Sequence, residues 1–448
     1  MRVHFISIGG SVMHQLAIAL HLKGYVVSGS DDEIFEPSRT HLKTEGLLPK
    51  KEGWYAANIT SDIDAVILGM HARADNPELI KAQSLGLPIY SFPEYIYQES
   101  KQKKRVVIGG SHGKTTTTAM IMHVLQKTNQ SFDYLVGAKL NGFDQSVAIT
   151  NAPIIVCEGD EYPASTLEKR PKFHFLFPHI AVLTGIAWDH INIFPTYDIY
   201  IEQFRIFIEK IETSGYLIYN TTDKDLVKLI ESNVRKDIQY IPYQLPTHHT
   251  INGKTQLTIN GYSSPLNIFG DHNLLNLHAA YHVCKLLGIA PIDFVRSIAS
   301  FSGAAKRLEL LYEKDEKRIY RDFAHAPSKV NATIQAVKQQ FPKQKLVALL
   351  ELHTYSSLQK HFLPQYAHSL DIADEAAVFY SQHALTLKRL PNINKEDIQQ
   401  GFANSNIVIL NTTKELEQWI ISQKNKTANI LLMSSGNYDG VDVIKKLS

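Results

Sequence analysis

The glycine-rich stretch at residues 109–116, GGSHGKTT, limits what this chain can fold into more than any other feature. Three apolar residues with a strand preference, Val106, Val107 and Ile108, precede it, and apolar residues at helical spacing follow it. Glycines between a strand and a helix let backbone N–H groups turn towards an oxyanion, and the helix start adds partial positive charge. The strict phosphate-loop motif would need a glycine at position 108, where this chain has Ile108. The motif here starts at Gly109 and is one residue shorter. The stretch predicts a phosphate-binding loop; the alternative is an incidental glycine-rich turn.

The residues around this loop suggest which chemistry it serves. In a phosphate loop, Lys114 would reach the outer phosphates of a nucleotide and the Thr115 hydroxyl would face a magnesium ion. A buried-type strand at residues 153–157 delivers the acidic segment 158–161, EGDE, at its carboxyl end. Acidic residues at that place hold magnesium or a water, whereas the alternative is a polar surface loop. Taken alone, His190 is more readily explained as a core histidine than as a metal ligand.

The first hundred residues predict a second nucleotide-type unit. A strand at 3–8, a Gly9-Gly10-Ser11 turn, a helix at 13–22 and a strand at 25–31 form a βαβ unit. The glycine fingerprint is incomplete, because Ser7 and His14 stand where glycines are expected. Asp31 could hold a ribose or a base edge, or merely end a strand.

Strands alternate with helical segments along most of the remaining chain, which predicts mostly parallel α/β sheets. Polar and apolar residues alternate at 238–268 with turns between them, which predicts a small antiparallel patch. We predict an α/β protein of three domains: a Rossmann-like domain at 1–104, a P-loop ATPase domain at 105–302 and a second Rossmann-like domain at 303–448.

Composition excludes several classes of protein. The 448 residues carry a formal net charge of +2, so charge indicates no nucleic-acid or membrane-surface partner. Two cysteines argue against a disulfide scaffold and fit a reducing compartment. We therefore expect a cytoplasmic protein that is a monomer or a weak homodimer.

Five motifs occur in the order found in the Mur ligases, and this resemblance covers essentially the whole chain. They are Gly110-Ser111-His112-Gly113-Lys114-Thr115-Thr116, Glu158-Gly159-Asp160-Glu161, Asp189-His190, Gly270-x-His272-Asn273-x-x-Asn276 and Asp322-Phe323-Ala324-His325-x-Pro327. The resemblance implies an ATP- and magnesium-dependent, ADP-forming amide ligase of peptidoglycan metabolism. ATP would phosphorylate a carboxylate, and an amine would then attack the acyl phosphate.

The resemblance also implies roles for individual residues. ATP would be bound by the loop and by two later segments: Gly110, Ser111, His112, Gly113, Lys114, Thr115, Thr116, His272, Asn273, Asn276, Arg307 and Asp322. The catalytic residues would be Lys114, His190, Arg307 and His325. Thr115 and Glu158 would hold one magnesium ion, and His190 would help to hold a second, which reverses the preference for a core histidine. The UDP part of the substrate would contact Gly9, Gly10, Ser11, Ser30 and Asp31, and His353 would grip a substrate carboxylate.

Within the family, the chain is most similar to the branch that uses UDP-N-acetylmuramate. The segments at 158–173 and 307–310, and the short length, favour the member that adds the tripeptide L-Ala-γ-D-Glu-meso-diaminopimelate in peptidoglycan recycling. The alternative is the biosynthetic member that adds L-alanine. A binding protein without turnover and a nicotinamide dehydrogenase are remoter alternatives.

Several residues depart from the family pattern. Gly185 and Ala187 stand where asparagine and glutamate are usual, Arg321 replaces an acidic residue, and Ala326 replaces a histidine. His353 stands where the tripeptide branch has arginine. These departures bear on the amino substrate and on the geometry of the second metal.

Overall fold

The structure is a computed structural model that describes residues 1–188, 193–251, 253–303 and 307–447. The chain divides into two compact units. The first unit contains Met1–Gln244 and Asn276–Ser297, and the second contains Leu245–Leu275 and Ile298–Ser448. His190, which was predicted to be a metal ligand, lies outside the described residues, as does its neighbour Asp189.

The first unit begins with a four-stranded parallel sheet whose order is β2-β1-β3-β4. Its elements are β1 (Arg2–Ile6), α1 (Met13–Leu22), β2 (Val26–Ser30), α2 (Ser38–Thr44), β3 (Ala65–Leu68), α3 (Pro77–Ser84), β4 (Ile89–Ser91) and α4 (Phe92–Ser100). Alternate residues of β1 point to opposite faces. Phe5 therefore belongs to the same apolar cluster as Leu16 of α1, and Ile6 to the cluster that contains Leu79 of α3. Helices on both faces leave the carboxyl ends of the strands open, where ligands bind in such sheets.

A seven-stranded sheet follows, in the order β11-β10-β9-β5-β8-β6-β7. Its elements are β5 (Lys104–Gly109), α5 (Lys114–Lys127), β6 (Asp133–Leu135), β7 (Val147–Ala148), β8 (Ile154–Glu158), β9 (Ile180–Leu183), α6 (Tyr197–Glu209), β10 (Tyr216–Asn220), α7 (Lys224–Ser232) and β11 (Gln239–Tyr243). The central strand β5 is flanked by β8 and β9 and carries the fully buried Val106, Val107 and Ile108. Complete burial of such side chains stabilises the sheet by about 1.5–3 kcal/mol each. The predicted strand, loop and helix around residues 109–116 are thereby confirmed.

The second unit holds a three-stranded antiparallel sheet, β12-β13-β14, and a six-stranded sheet in the order β15-β16-β20-β17-β18-β19. The elements after β11 are β12 (His248–Ile251), β13 (Lys254–Ile259), β14 (Tyr262–Pro265), α8 (Asp271–Leu286), α9 (Pro291–Ile298), β15 (Glu309–Lys314), β16 (Lys317–Asp322), α10 (Pro327–Gln340), β17 (Leu346–Leu352), β18 (Glu375–Tyr380), α11 (Gln382–Leu387), α12 (Lys395–Phe402), β19 (Val408–Leu410), α13 (Thr413–Gln423), β20 (Asn429–Met433) and α14 (Val443–Leu447). Except for the antiparallel pair β15–β16, the strands of the larger sheet pair in parallel. Asp322, Met433 and Leu352 end neighbouring strands, so one edge of this sheet collects the residues that follow them.

The alternation at 238–268 predicted one antiparallel patch, but its first strand belongs elsewhere. β11 pairs in parallel with β10, from Tyr216 opposite Gln239 to Asn220 opposite Tyr243. Only β12, β13 and β14 form the antiparallel sheet. The strand β15 was not predicted. Among the described helices, none combines the length and the apolarity needed to cross a membrane.

Candidate active site

Two glycines with left-handed backbone angles shape the loop between β5 and α5. Gly110 has φ 127° and Gly113 has φ 83°. A Cβ on Gly110 would overlap Thr184, and one on Gly113 would overlap the side chain of Asn276. The Thr184 hydroxyl also donates to the His112 carbonyl. Only glycine therefore fits at these two positions, and the Asn276 side chain lies against the loop.

Ser111 fixes the loop to the segment that follows β9. Its N–H donates to the Gly185 carbonyl (3.0 Å), and its hydroxyl accepts from the Ala187 N–H (2.7 Å). The same hydroxyl lies 2.9 Å from the buried hydroxyl of Tyr200. Ser111 thus holds the shape of the loop through residues far away in the sequence, a role that no local pattern could have indicated.

The backbone conformation at residue 185 explains why a glycine stands there. Gly185 has φ 150°, and a Cβ there would lie 2.9 Å from an Asp223 carboxylate oxygen. That oxygen accepts from the Ile186 N–H at 2.6 Å. An asparagine, usual in the family at this point, would strain the backbone and press on Asp223.

Lys114 is held inside the loop by two oxygen atoms. Its ammonium donates to the Gly110 carbonyl and to the Glu161 carboxylate, both at 2.6 Å. Burial by itself opposes the charged form of Lys114, but Glu161, Asp160 and Glu158 outweigh it and raise its pKa. The lysine is therefore charged in the physiological range, as a contact to phosphate requires. The contact to Glu161 was not predicted, although the EGDE segment pointed to the neighbourhood.

Thr115 and Glu158 supply oxygen atoms at the place predicted for magnesium. The Thr115 hydroxyl donates to Glu158 Oε1 (2.8 Å), and the Gly137 N–H donates to Oε2 (2.9 Å). A hydroxyl in the first turn of α5 and a carboxylate at the end of β8 suit Mg²⁺, which takes oxygen ligands and keeps several waters. Within the described part of the chain, no group of three His, Cys, Asp or Glu side chains could hold a metal. A magnesium ion here would thus depend on phosphate and water for its other ligands.

Asp160 forms a second ion pair, with Lys172 at 2.6 Å. Burial works against the Asp160 carboxylate, but Lys172 and Lys114 outweigh it, so its pKa lies below the ordinary value. The backbones on both sides are also joined, because the Phe173 N–H donates to the Asp160 carbonyl (3.1 Å) and the Lys172 N–H to the Tyr162 carbonyl (3.0 Å). Two carboxylates and two ammonium groups consequently alternate around the end of β8.

A cavity of about 230 Å³ lies between the four-stranded sheet and the end of β8, within the first unit. Gly10 and Ser11 line it from one side, and Glu158, Asp160 and Lys172 from the other. Thr166 joins the two sides, because its N–H donates to the Met70 carbonyl at 2.9 Å. The cavity connects the predicted substrate turn with the predicted metal site.

The turn after β1 is organised by Asp31. The Gly9 N–H donates to the Asp31 carboxylate (2.7 Å), and a Cβ on Gly9 would collide with that carboxylate. Burial raises the pKa of Asp31 from 3.8 to about 7, with a smaller contribution from Asp32 and an opposing one from Gly9. Ser7, which stands in place of a glycine, has φ 71°, and His14 Nδ1 lies 2.9 Å from the Gly10 carbonyl. The departures from the glycine fingerprint therefore keep a tight turn.

Ser30 has a partner that the sequence did not reveal. Its hydroxyl donates to Glu78 (2.7 Å), a fully buried carboxylate. The same carboxylate lies 3.2 Å from His4 Nε2 and accepts from the Tyr55 N–H at 3.0 Å. Glu78 lies 48 residues from Ser30 along the chain, which is why no motif connected them.

In the second unit, Arg307, Asp322 and Phe323 form one group. The Arg307 guanidinium lies 5.1 Å from the centre of the Phe323 ring, a cation–π distance. Asp322 accepts from the N–H groups of Leu308 (2.5 Å) and Ala324 (2.6 Å). Burial raises the pKa of Asp322, against the effect of Arg307. Phe323 was not predicted to matter, and it belongs to the same motif as Asp322.

The remaining predicted residues of the second unit lie near strand ends or at the start of α8. His325 Nδ1 lies 2.7 Å from the Phe323 carbonyl. His353 Nδ1 lies 3.8 Å from the buried Glu351 carboxylate. Asn273 donates to the Phe269 carbonyl (2.9 Å), and burial together with Arg307 lowers the pKa of His272 to about 4. His272 is therefore neutral, which suits a nucleotide base better than a phosphate.

Three family profiles match consecutive parts of the chain. They are the Mur ligase family catalytic domain at residues 2–104, the Mur ligase middle domain at 108–284, and the Mur ligase glutamate ligase domain at 306–436. The three-domain α/β architecture predicted from the sequence is confirmed.

Relatives and solved structures agree with these profiles. A UDP-N-acetylmuramate–L-alanine ligase of Caldicellulosiruptor bescii is 33% identical over 389 residues, which are 84% of this chain and 82% of the relative. A solved UDP-N-acetylmuramate–alanine ligase of Thermotoga maritima has a TM-score of 0.68 and 22% identity, covering 100% of this chain and 97% of that one. A murein peptide ligase of Psychrobacter arcticus has a TM-score of 0.65 and 22% identity, covering 100% and 98%. At 22% sequence identity, the similarity to these solved structures supports only the fold.

The prediction that the amino substrate is the tripeptide is wrong. Seven further curated relatives, 27% to 32% identical, also bear the name UDP-N-acetylmuramate–L-alanine ligase. The geometry explains the error, because Glu158 and Glu161 contact Thr115 and Lys114 of the phosphate loop. The resemblance in this segment therefore involves residues that contact the loop at 109–116.

Proposed function

Because this chain belongs to the Mur ligase family, we propose that it joins UDP-N-acetylmuramate to L-alanine at the expense of ATP. Mur ligases are ATP-dependent, ADP-forming amide ligases, and this chain is such an enzyme. The proposed amino substrate rests on the names of eight curated relatives, each a UDP-N-acetylmuramate–L-alanine ligase.

One observation supports the proposal above the others. The cavity between the Gly9–Ser11 turn and the end of β8 contains Glu158, whose carboxylate accepts from Thr115 of the phosphate loop. A UDP-sugar held by the turn would thus extend its carboxylate towards the nucleotide loop. That arrangement suits transfer of a phosphoryl group from ATP to a carboxylate.

The residues have distinct proposed roles in this reaction. Lys114 would neutralise the transferred phosphoryl group, with Arg307 as a second cation. Thr115 and Glu158 would hold magnesium, which when bound polarises a phosphoryl oxygen. The loop glycines and Asn276 would shape the phosphate site, and Asp322 and His272 would contact the nucleoside. Gly9, Gly10, Ser11, Ser30 and Asp31 remain the proposed UDP contacts, and His325 and His353 the proposed residues near the amine.

Phosphate release with Mg-ATP and UDP-N-acetylmuramate tests the proposal, with L-alanine or the tripeptide added in separate reactions. We expect turnover with L-alanine and none with the tripeptide. Turnover with the tripeptide alone would contradict the proposed amino substrate. No turnover with either, while UDP-N-acetylmuramate still binds, would favour the binding protein without turnover.

Three further expectations concern the domain boundaries, the oligomeric state and the cellular compartment. We keep the domain boundaries after residues 104 and 302. We propose a monomer or weak homodimer. Because the reaction consumes ATP, we propose the cytoplasm as its compartment.

A further inference from the structure

The cavity that joins the substrate turn to the end of β8 is unusual in its charge. Two carboxylates line it, those of Glu158 and Asp160. A substrate that brings a carboxylate of its own into this space would be repelled by both. An acidic ligand therefore needs positive charge in this cavity, which the magnesium ion proposed at Thr115 and Glu158, a protein cation, or both can supply.

Lys172 is placed to supply that cation. Among the described residues that line the cavity, it alone carries a permanent positive charge. Its side chain is 24% exposed, so Lys172 is largely covered but retains a solvent-accessible part. The Lys172 N–H donates to the Tyr162 carbonyl, which fixes where the side chain begins.

The ion pair between Lys172 and Asp160 can exchange its carboxylate for that of a ligand. Asp160, at 2.6 Å, is itself 38% exposed, so solvent can replace the ammonium when the pair opens. Because both side chains reach solvent, the pair is weaker than a fully buried one. A ligand carboxylate can therefore share or take over the ammonium at small cost.

We propose that Lys172 receives the carboxylate of UDP-N-acetylmuramate and so selects the acid over UDP-sugars that lack this carboxylate. This inference rests on the proposed function, because it takes UDP-N-acetylmuramate as the substrate. It adds a specificity residue that the motif comparison did not assign. Lys172 would hold the carboxylate beside Glu158, on the side of the cavity that faces the nucleotide loop.

Calorimetric titration of the full-length protein tests the inference with two probes that differ in the carboxylate. UDP-N-acetylmuramate carries it, whereas UDP-N-acetylglucosamine does not. Lys172→Met should weaken binding of the first probe about tenfold or more, since a hydrogen bond to a charged group is lost, and leave the second unchanged. Lys172→Arg should retain the preference for the acid. Lys169→Met, an exposed lysine in the same segment, is the matched control and should change neither affinity.

Asp160→Asn separates substrate contact from a structural role. If Lys172 binds the carboxylate, removing its competitor should leave the affinity for UDP-N-acetylmuramate unchanged or increase it. A loss as large as that of Lys172→Met would overturn the inference, as would equal weakening of both probes by Lys172→Met. Unchanged binding of both probes to Lys172→Met would overturn it as well, while the proposed function stands. Failure of the wild-type protein to bind UDP-N-acetylmuramate would instead overturn the proposed function, and this inference with it.

Discussion

Two glycine turns of the first unit occupy equivalent places but differ in the charged side chains that surround them. Residues 9–11 follow β1 and precede α1, and residues 109–113 follow β5 and precede α5. The first turn is organised by a carboxylate, Asp31, and the second contains an ammonium, Lys114, among carboxylates. Backbone N–H groups alone can serve a diphosphate that stays intact, whereas a phosphoryl group in transfer needs a mobile cation. A shared strand–turn–helix topology therefore does not determine which charged side chains surround the turn.

Removing the cation of the second turn should have the largest effect. We expect Lys114→Met to lower kcat for phosphate release by about 10²–10³, the cost of losing one strong electrostatic contact in a transition state. Affinity for UDP-N-acetylmuramate should not change, since the first turn and the cavity remain. Lys127→Met, an exposed lysine near the end of the same helix, is the control. Comparable activity of the two variants would mean that both turns work through backbone groups alone.

The second turn should also be the more sensitive to its backbone support. Gly185→Ala places a side chain at φ 150° and 2.9 Å from Asp223, whose bond to the Ile186 N–H would be disturbed. We expect a loss of about 3 kcal/mol, or roughly 3–5 °C in the thermal midpoint of a chain of this size. Gly288→Ala separates the two causes, because Gly288 has φ 89° with open space around it. It should cost about 1 kcal/mol. If the two midpoints fall equally, crowding against Asp223 contributes nothing.

The first turn should instead respond to pH. The pKa of Asp31 is raised to about 7, so the folded state holds a proton that the unfolded state releases near pH 3.8. Stability from this group is therefore complete below pH 3.8 and is lost as the pH rises to about 7. Asp31→Asn keeps an oxygen acceptor for Gly9 and removes the titration.

Thermal midpoints at pH 5 and pH 8 measure this effect. Between these values the wild type should lose up to about 2.8 kcal/mol more than Asp31→Asn, since two pH units separate pH 5 from the pKa of about 7 and each is worth about 1.4 kcal/mol. Asp32→Asn, next to it and more exposed, is the control and should change the pH dependence less. Parallel midpoint curves for the wild type and Asp31→Asn would show that Asp31 is ionised in the fold throughout.

Local patterns predicted the elements that local physics determines. The apolar run before Gly109 and the helical spacing after Lys114 specify a strand and a helix without help from the rest of the chain. β11 was assigned to the wrong sheet, because alternation in residues 239–243 is the same for a hairpin strand and for the edge of a parallel sheet. Only packing against β10 decides between them.

The site was predictable where a motif concentrates the chemistry, and hidden where partners are distant. Thr115 and Glu158 were predicted to act together, and their side chains are in contact. The partners of Ser30 and Ser111, Glu78 and Tyr200, lie 48 and 89 residues away along the chain. By the family pattern alone, Gly185 replaces a polar asparagine. Its backbone angle, φ 150°, explains why glycine stands there.

The ion pair between Lys114 and Glu161 has a consequence for how nucleotide affinity is read. Since the ammonium already has an anionic partner, arrival of a phosphate is a counter-ion exchange and not the neutralisation of a bare charge. The measured affinity for ATP then reports a difference between two attractions, that of phosphate and that of an internal carboxylate. When the Lys114 ammonium moves to phosphate, the Glu161 carboxylate is left without it beside the triphosphate. A divalent cation can neutralise both the carboxylate and the triphosphate.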